Sequence, residues 1–240
     1  MWAHAAGMRG TVRKRQPVKM RGPFITFEGI DGCGKSTHIA RLARHLASQG
    51  VPHIITFEPG GTTFGEQVRS LVLSQETAGL GAVAELMLYA ADRAEHVRTV
   101  IGPALGEGRL VLCDRFTDSS VAFQGYGRGL DLNLIAELNN IATGGLEPDL
   151  TILLDLDPAV AASRLESRIA GTAKKGGADR FDREGRDFHC RVREGYLRLV
   201  QAQPGRIRLI DSTGDPDTVH DMVLSEVRSL LDTLRTGTNE

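Results

Sequence analysis

The stretch Gly29-Ile30-Asp31-Gly32-Cys33-Gly34-Lys35-Ser36 limits what this chain can fold into more than any other part of it. It follows the apolar run Phe24-Ile25-Thr26-Phe27 and precedes the helix-like pattern Thr37-His38-Ile39-Ala40-Arg41-Leu42-Ala43. Strand, glycine-rich loop and helix in that order are the setting of a phosphate-cradling loop. The glycines carry no Cβ, so backbone N–H groups can turn inward and approach an anion closely. A helix starting near Lys35 aims its positive dipole end at the same point. Lys35 adds a cation that follows the β- and γ-phosphates, and the Ser36 hydroxyl is placed to bind Mg²⁺. The pattern predicts a nucleoside-triphosphate site built from Gly29, Ile30, Asp31, Gly32, Cys33, Gly34, Lys35 and Ser36.

Further along, Gly50 stops the loop helix, and Val51-Pro52-His53-Ile54-Ile55-Thr56-Phe57 reads as a second strand. It ends in the turn cluster Glu58-Pro59-Gly60-Gly61-Thr62. Helical periodicity follows through Val68, Leu71 and Val72, then from Ala84 to Arg93 and on towards Ile101. Arg109–Asp114, Asp149–Asp155 and Arg206–Asp211 read as three more strands. Their continuous apolar runs, separated by helical patterns, predict an α/β fold with a five-stranded parallel sheet covered by helices on both faces. Glu58, Asp114, Asp155 and Asp211 then fall on the same sheet edge as the phosphate loop, where ligands of such sheets bind.

Composition agrees with a packed domain: hydrophobic residues make up 41% of 240 and charged residues 25%. A net charge of −1 gives no electrostatic reason to expect nucleic acid or a membrane surface. No apolar run is long enough to cross a bilayer. Cys33, Cys113 and Cys190 lie far apart without metal-ligand spacing, which fits a reducing cytoplasm. Residues 1–22 are basic, acid-free and too polar for a secretory signal. They read as a disordered extension, and the fold as a single domain over 23–235. Residues 168–183, with Gly171, Lys174-Lys175-Gly176-Gly177 and Asp179-Arg180-Phe181-Asp182, read as a short mobile lid with glycine hinges and arginines for a phosphate.

Four motifs in order carry a resemblance. Phe27-Glu28-Gly29 through Ser36-Thr37, then Glu58-Pro59-Gly60-Gly61-Thr62, then Asp114-Arg115-Phe116 with Asp118-Ser119-Ser120 and Gln124-Gly125-Tyr126, and finally Pro148–Asp155, are similar to bacterial thymidylate kinases over roughly residues 24–225. The resemblance implies a P-loop three-layer fold and transfer of the ATP γ-phosphoryl group to dTMP with Mg²⁺, giving dTDP for dTTP synthesis. It also implies a cytoplasmic homodimer joined through helices on one face. By position it implies Lys35, Asp114, Arg115 and Arg168 as catalytic residues, with Ser36 and Asp114 at the metal. Arg69 and Arg115 would hold the dTMP phosphate, Glu58 would lie beside it, and Tyr89 would stack on the thymine. Arg93, Ser119 and Gln124 would contact the base or its surroundings, with Arg93 as a donor that disfavours the cytosine amine. A dianion with a flat ring suits arginine forks and an aromatic face.

Two departures stand out. Phe57 occupies the position before Glu58 where many bacterial members carry arginine, and Gly32 occupies a loop position where eukaryotic-type members carry arginine. The transition-state cation is therefore expected from the lid, with Arg168 as the match and Arg164 and Arg180 nearby. The rival readings are another nucleotide or deoxynucleoside kinase and a non-kinase nucleotide switch. The chain has no Asn-Lys-x-Asp guanine signature.

Overall fold

The computed structural model describes residues 22–77, 79–171, 180–181 and 184–236, without the side chains of 168–171, 235 and 236. The basic extension, Gly22 apart, and the centre of the expected lid lie outside the described residues.

Strands β1 (Phe24–Glu28), β2 (His53–Phe57), β3 (Leu110–Asp114), β4 (Leu150–Asp155) and β5 (Ile207–Asp211) form one sheet in the order β2-β3-β1-β4-β5. All four pairings are parallel. The central strand β1 is buried along its whole length, which is why its sequence runs apolar rather than alternating. Strand β2 lies at the edge and leaves Ile55 and Phe57 exposed. Between and after the strands come α1 (Lys35–Ser48), α2 (Thr63–Leu73), α3 (Ala82–His96), α4 (Gly102–Gly106), α5 (Thr117–Ser120), α6 (Leu132–Thr143), α7 (Pro158–Gly171), α8 (Arg186–Ala202) and α9 (Pro216–Thr236). Two π-helical turns, Val97–Ile101 and Val121–Gly127, extend α3 and α5.

The strand pleat sorts side chains into two cores. Ile25, Phe27, Leu110 and Leu112 meet Ile39, Leu42 and Leu46 of α1. Phe24, Val111 and Cys113, pointing the other way, meet Ile101, Leu105 and Phe116. The five-stranded parallel α/β fold expected from the sequence is the one observed.

Several boundaries differ for local reasons. Strand β2 begins at His53 because the Val51 N–H closes α1 on the Leu46 carbonyl and Pro52 has no N–H for the ladder. Strand β3 begins at Leu110 because the Arg109 N–H caps the preceding helix on the Ala104 carbonyl. The first residues of the segment expected as a lid, 168–171, continue α7, so Arg168 is helical.

The registers bring the functional ends together. Phe27 pairs with Asp114 and Asp114 with Phe57, so the phosphate loop, the Asp114-Arg115 corner and the Glu58 turn leave one sheet edge side by side.

Candidate active site

The loop after β1 turns into α1 at Gly34, whose φ of 104° is the left-handed value of its helix-capping position. No side chain caps α1, so its first N–H groups point at the loop's hollow and remain available to an anion. Lys35 is buried, and its Nζ donates to the carbonyls of Gly29 (3.1 Å) and Ile30 (3.2 Å), folding the cation across the loop. Gly32 has φ +83°, and a Cβ there would stand 2.7 Å from the Ala161 carbonyl of α7. No side chain can be added at this position without moving α7.

Ser36 Oγ donates to Asp114 Oδ2 at 2.9 Å. A hydroxyl and a carboxylate are hard oxygen donors of the kind Mg²⁺ accepts beside nucleotide phosphates, so this pair fits the ion. Among the described residues no group of three or more His, Cys, Asp or Glu would hold a metal by protein ligands alone.

Arg115 is the one described non-glycine residue at positive φ, 73°. This strained conformation is held by several contacts. Its Nη2 donates to Asp31 Oδ1 at 2.7 Å, its Nη1 donates to Ser119 Oγ and Tyr196 OH at 3.2 Å, and its guanidinium lies 4.9 Å from the Phe123 ring centre. Burial alone would raise the Asp31 pKa, but Arg115 and then Lys35 outweigh it and hold the carboxyl well below the usual range.

Beneath them sits Glu28, fully buried, accepting from the Phe116 N–H (2.7 Å), Ser119 Oγ (2.6 Å) and Tyr196 OH (2.7 Å). Burial, and then the Asp118 carboxylate, push its pKa up to about 7, against the opposing pull of Arg115, Ser119 and Tyr196. A raised folded-state pKa contributes stability that is fully present below the ordinary value of 4.5 and lost as pH rises through about 7. Glu28→Gln stays neutral, so its Tm relative to wild type is expected to rise across that window, by up to roughly 3 kcal/mol in stability. A Tm difference that stays flat with pH would show that Glu28 does not titrate there.

Glu58 and Arg93 form a second buried cluster. Arg93 Nε donates to Glu58 Oε2 at 2.8 Å, and its other nitrogens donate to Ser120 Oγ (3.1 Å), Asn139 Oδ1 (2.7 Å) and the Phe116 carbonyl (3.0 Å). The other Glu58 oxygen lies 3.0 Å from His96 Nδ1. Arg93 is 1% exposed, and each of its nitrogens already has a protein acceptor. Ser119 is likewise engaged by Glu28 and Tyr196. Arg69 is exposed, donates to the Pro59 carbonyl at 2.9 Å and stacks on Phe57, 5.6 Å from the ring centre. The aromatic ring that replaces the expected arginine thus supports Arg69.

Two cavities meet at this edge. A cleft of about 750 Å³ runs along the phosphate loop past Arg164, Leu165, Ser212 and Pro216. A narrower one of about 90 Å³ lies beyond it, walled by Tyr89, Arg93, Phe116, Phe123, Gln124 and Phe181. Asp31, Glu58, Arg69 and Arg115 line both, so charged groups gather where the cavities join.

Of the lid candidates, Arg164 in α7 lines the large cleft, with its Nη2 donating to the Ser212 carbonyl at 2.9 Å. Arg168 follows one turn later in α7, and its side chain is outside the described residues. The acids beside Arg180 in the sequence, Asp179 and Asp182, lie outside the described residues. In the structure Arg180 is buried, pairs with Glu85 and donates to the Thr77 carbonyl at 3.3 Å. Sequence reasoning assigned no role to Glu28, Glu85, Phe123, Phe181 or Tyr196. Glu28 stood inside a recognised motif, whereas Tyr196 reaches Glu28 from 168 residues away and left no local signal.

A phosphate cradle at the C-terminal edge of a parallel sheet, opening through an arginine-lined junction into a second cavity, defines a phosphotransferase of the P-loop class. The comparisons narrow this. The chain belongs to the thymidylate kinase family: the family model described as "Thymidylate kinase" matches residues 27–223. A thymidylate kinase of Solidesulfovibrio magneticus is 51% identical over 210 residues, 87% of this chain and 100% of that protein. One from Geotalea daltonii is 48% identical over 206 residues, covering 86% and 96% of the two chains. The crystal structure of the Ehrlichia chaffeensis thymidylate kinase superposes with a TM-score of 0.68 at 33% identity, covering 86% of this chain and 98% of that one.

Proposed function

We propose that this protein transfers the γ-phosphoryl group of ATP to dTMP, giving dTDP and ADP. Within a family whose members carry that name, one observation supports the reading best: a phosphate loop whose cleft joins a ring-sized cavity through Arg69 and Arg115. Two anionic substrates meet in line at such a junction, and positioning with charge stabilisation supplies most of the catalysis in phosphoryl transfer.

In this reading the α1 N-terminal N–H groups and Lys35 hold the donor phosphates, and Arg69 and Arg115 hold the acceptor phosphate. Asp31 and Glu28 fix Arg115, and Tyr89 covers the base. Ser36 and Asp114 would hold Mg²⁺, which when bound neutralises charge on the β- and γ-phosphates. Arg168 is the cation for the transferring group. The protein acts in the cytoplasm; among the described residues no helix is long and apolar enough to cross a membrane. It works as a homodimer, a reading supported by exposed Val83, Met87, Leu134 and Ile141 on the packed helices α3 and α6. Light scattering that gave a monomer at micromolar concentration would remove the dimer.

The function is tested by coupled ADP release with dTMP, dUMP, dCMP, AMP and GMP. Strong dependence on dTMP is expected, with dUMP poorer by ~10- to 200-fold for the missing methyl. ATP consumption that ignores added monophosphate would overturn the kinase reading, and a preference for a different acceptor would move the protein to another substrate.

A further inference from the structure

Glu85, on α3, is wholly buried and does not line either cavity of the site. Two guanidinium groups hold it. Arg180 Nη2 donates to its Oε2, and Arg128 donates to both oxygens, Nε to Oε1 at 3.4 Å and Nη2 to Oε2 at 3.3 Å. Its remaining partner is the side chain of Gln124, whose Nε2 donates to Oε1 at 2.8 Å. Gln124 is 2% exposed, sits in the π-helical turn Val121–Gly127 and does line the narrow cavity beside Tyr89.

An amide has one donor end and one acceptor end, and the two look alike in shape. A carboxylate between two guanidinium groups accepts and has no proton to give. Only the Gln124 nitrogen can face it, so the Gln124 oxygen must face the other way. Among the described residues no donor reaches that oxygen, which leaves it for the cavity. We infer that Glu85 is a positioning residue for base selection: by holding the Gln124 nitrogen it presents an acceptor to the acceptor-base slot, and so selects a pyrimidine ring that carries N3–H.

Thymine and uracil have that N–H. Cytosine has a bare acceptor at N3, and its one donor, the 4-amino group, lies on the neighbouring ring atom. To use it the ring would have to slide within a slot walled by Tyr89, Phe123 and Phe181. Two facing acceptors leave both unpaired, which is where polar sites gain their selectivity. Arg93, the donor expected there, has four of its five N–H groups on protein acceptors, so at most one, on Nη2, is left for a base.

The inference rests on the proposed dTMP kinase reading and deepens it. The test is kcat/KM for dTMP, dUMP and dCMP with wild type, Glu85→Gln, Glu85→Asp, Gln124→Met and the Glu85→Gln/Gln124→Met double variant. In Glu85→Gln the partner side chain is itself an amide and no longer dictates how Gln124 turns. The dTMP-to-dCMP ratio is expected to fall about tenfold, mainly through KM, while the dTMP-to-dUMP ratio holds within about twofold. Gln124→Met should lower the dCMP discrimination at least as far, and the double variant should add nothing to it. Glu85→Asp keeps the charge between the arginines and withdraws it from Gln124, so an intermediate ratio is expected even where Glu85→Gln does not fold. Equal losses on all three substrates, or an unchanged dCMP ratio in folded Glu85→Asp or Gln124→Met, would overturn the inference. Wild type that used dCMP as well as dTMP would overturn it and leave the kinase reading standing. Wild type that used no monophosphate would overturn both.

Discussion

Lys35→Ala is expected to lose roughly 10²- to 10³-fold in kcat while melting within a few degrees of wild type. The side chain is buried and its ammonium reaches the carbonyls of Gly29 and Ile30 along the loop that α1 opens on. Lys35 itself lines the open cleft, so water can enter the space its ammonium leaves and the fold loses little. A phosphoryl group in flight has no such substitute. Its charge grows between donor and acceptor, and a preorganised cation there costs no reorganisation at the moment of reaction. The loss should therefore appear in kcat and kcat/KM together. Steady-state kinetics on a variant shown to be folded by its melting curve make the check. Near-wild-type turnover would remove Lys35 from the chemistry and take the phosphoryl-transfer reading with it.

Arg168→Ala should produce the other large effect, a loss of kcat approaching the ~10³-fold lower end of arginine-finger contributions. The reason lies at Gly32, where the phosphate loop has no side chain to offer and no room for one. In the proposed reading the cation comes from the other wall. There α7 presents Arg164 to the donor cleft and carries Arg168 one turn further on. A cation that meets the migrating group favours the transition state over bound substrates, so KM for dTMP should stay nearly unchanged. Arg164→Ala is the control. Its guanidinium is tethered to the Ser212 carbonyl, so its loss should raise KM for ATP and spare kcat. A reversed pattern, with Arg164 controlling kcat and Arg168 neither parameter, would move the catalytic role by one turn.

Much of this was legible in the sequence because local rules governed it. The apolar runs of β1, β3 and β4 foretold a parallel sheet, and the acids Asp114 and Asp155 that end β3 and β4 foretold the edge at which the site lies. The phosphate loop was readable because each of its residue types has a local duty. Pairings across the chain were not readable. Arg93 looked like a ligand donor, yet folding surrounds it with Glu58, Ser120, Asn139 and the Phe116 carbonyl, drawn from three separate stretches. Arg180 was expected in a mobile lid and reaches a buried carboxylate 95 residues earlier. Spacing shows which residue types a segment offers, while tertiary contacts decide which of their atoms remain free for a ligand.

The contact between Gly32 and the Ala161 carbonyl has an evolutionary side. A single codon change that placed arginine at 32 would not simply add a second cation; it would wedge α7 away from the loop and displace whatever α7 delivers. The two ways of supplying charge to the reaction are then alternatives separated by a valley. A lineage can cross it only by altering the loop and the helix together, so the glycine records a commitment that point mutation alone cannot reverse.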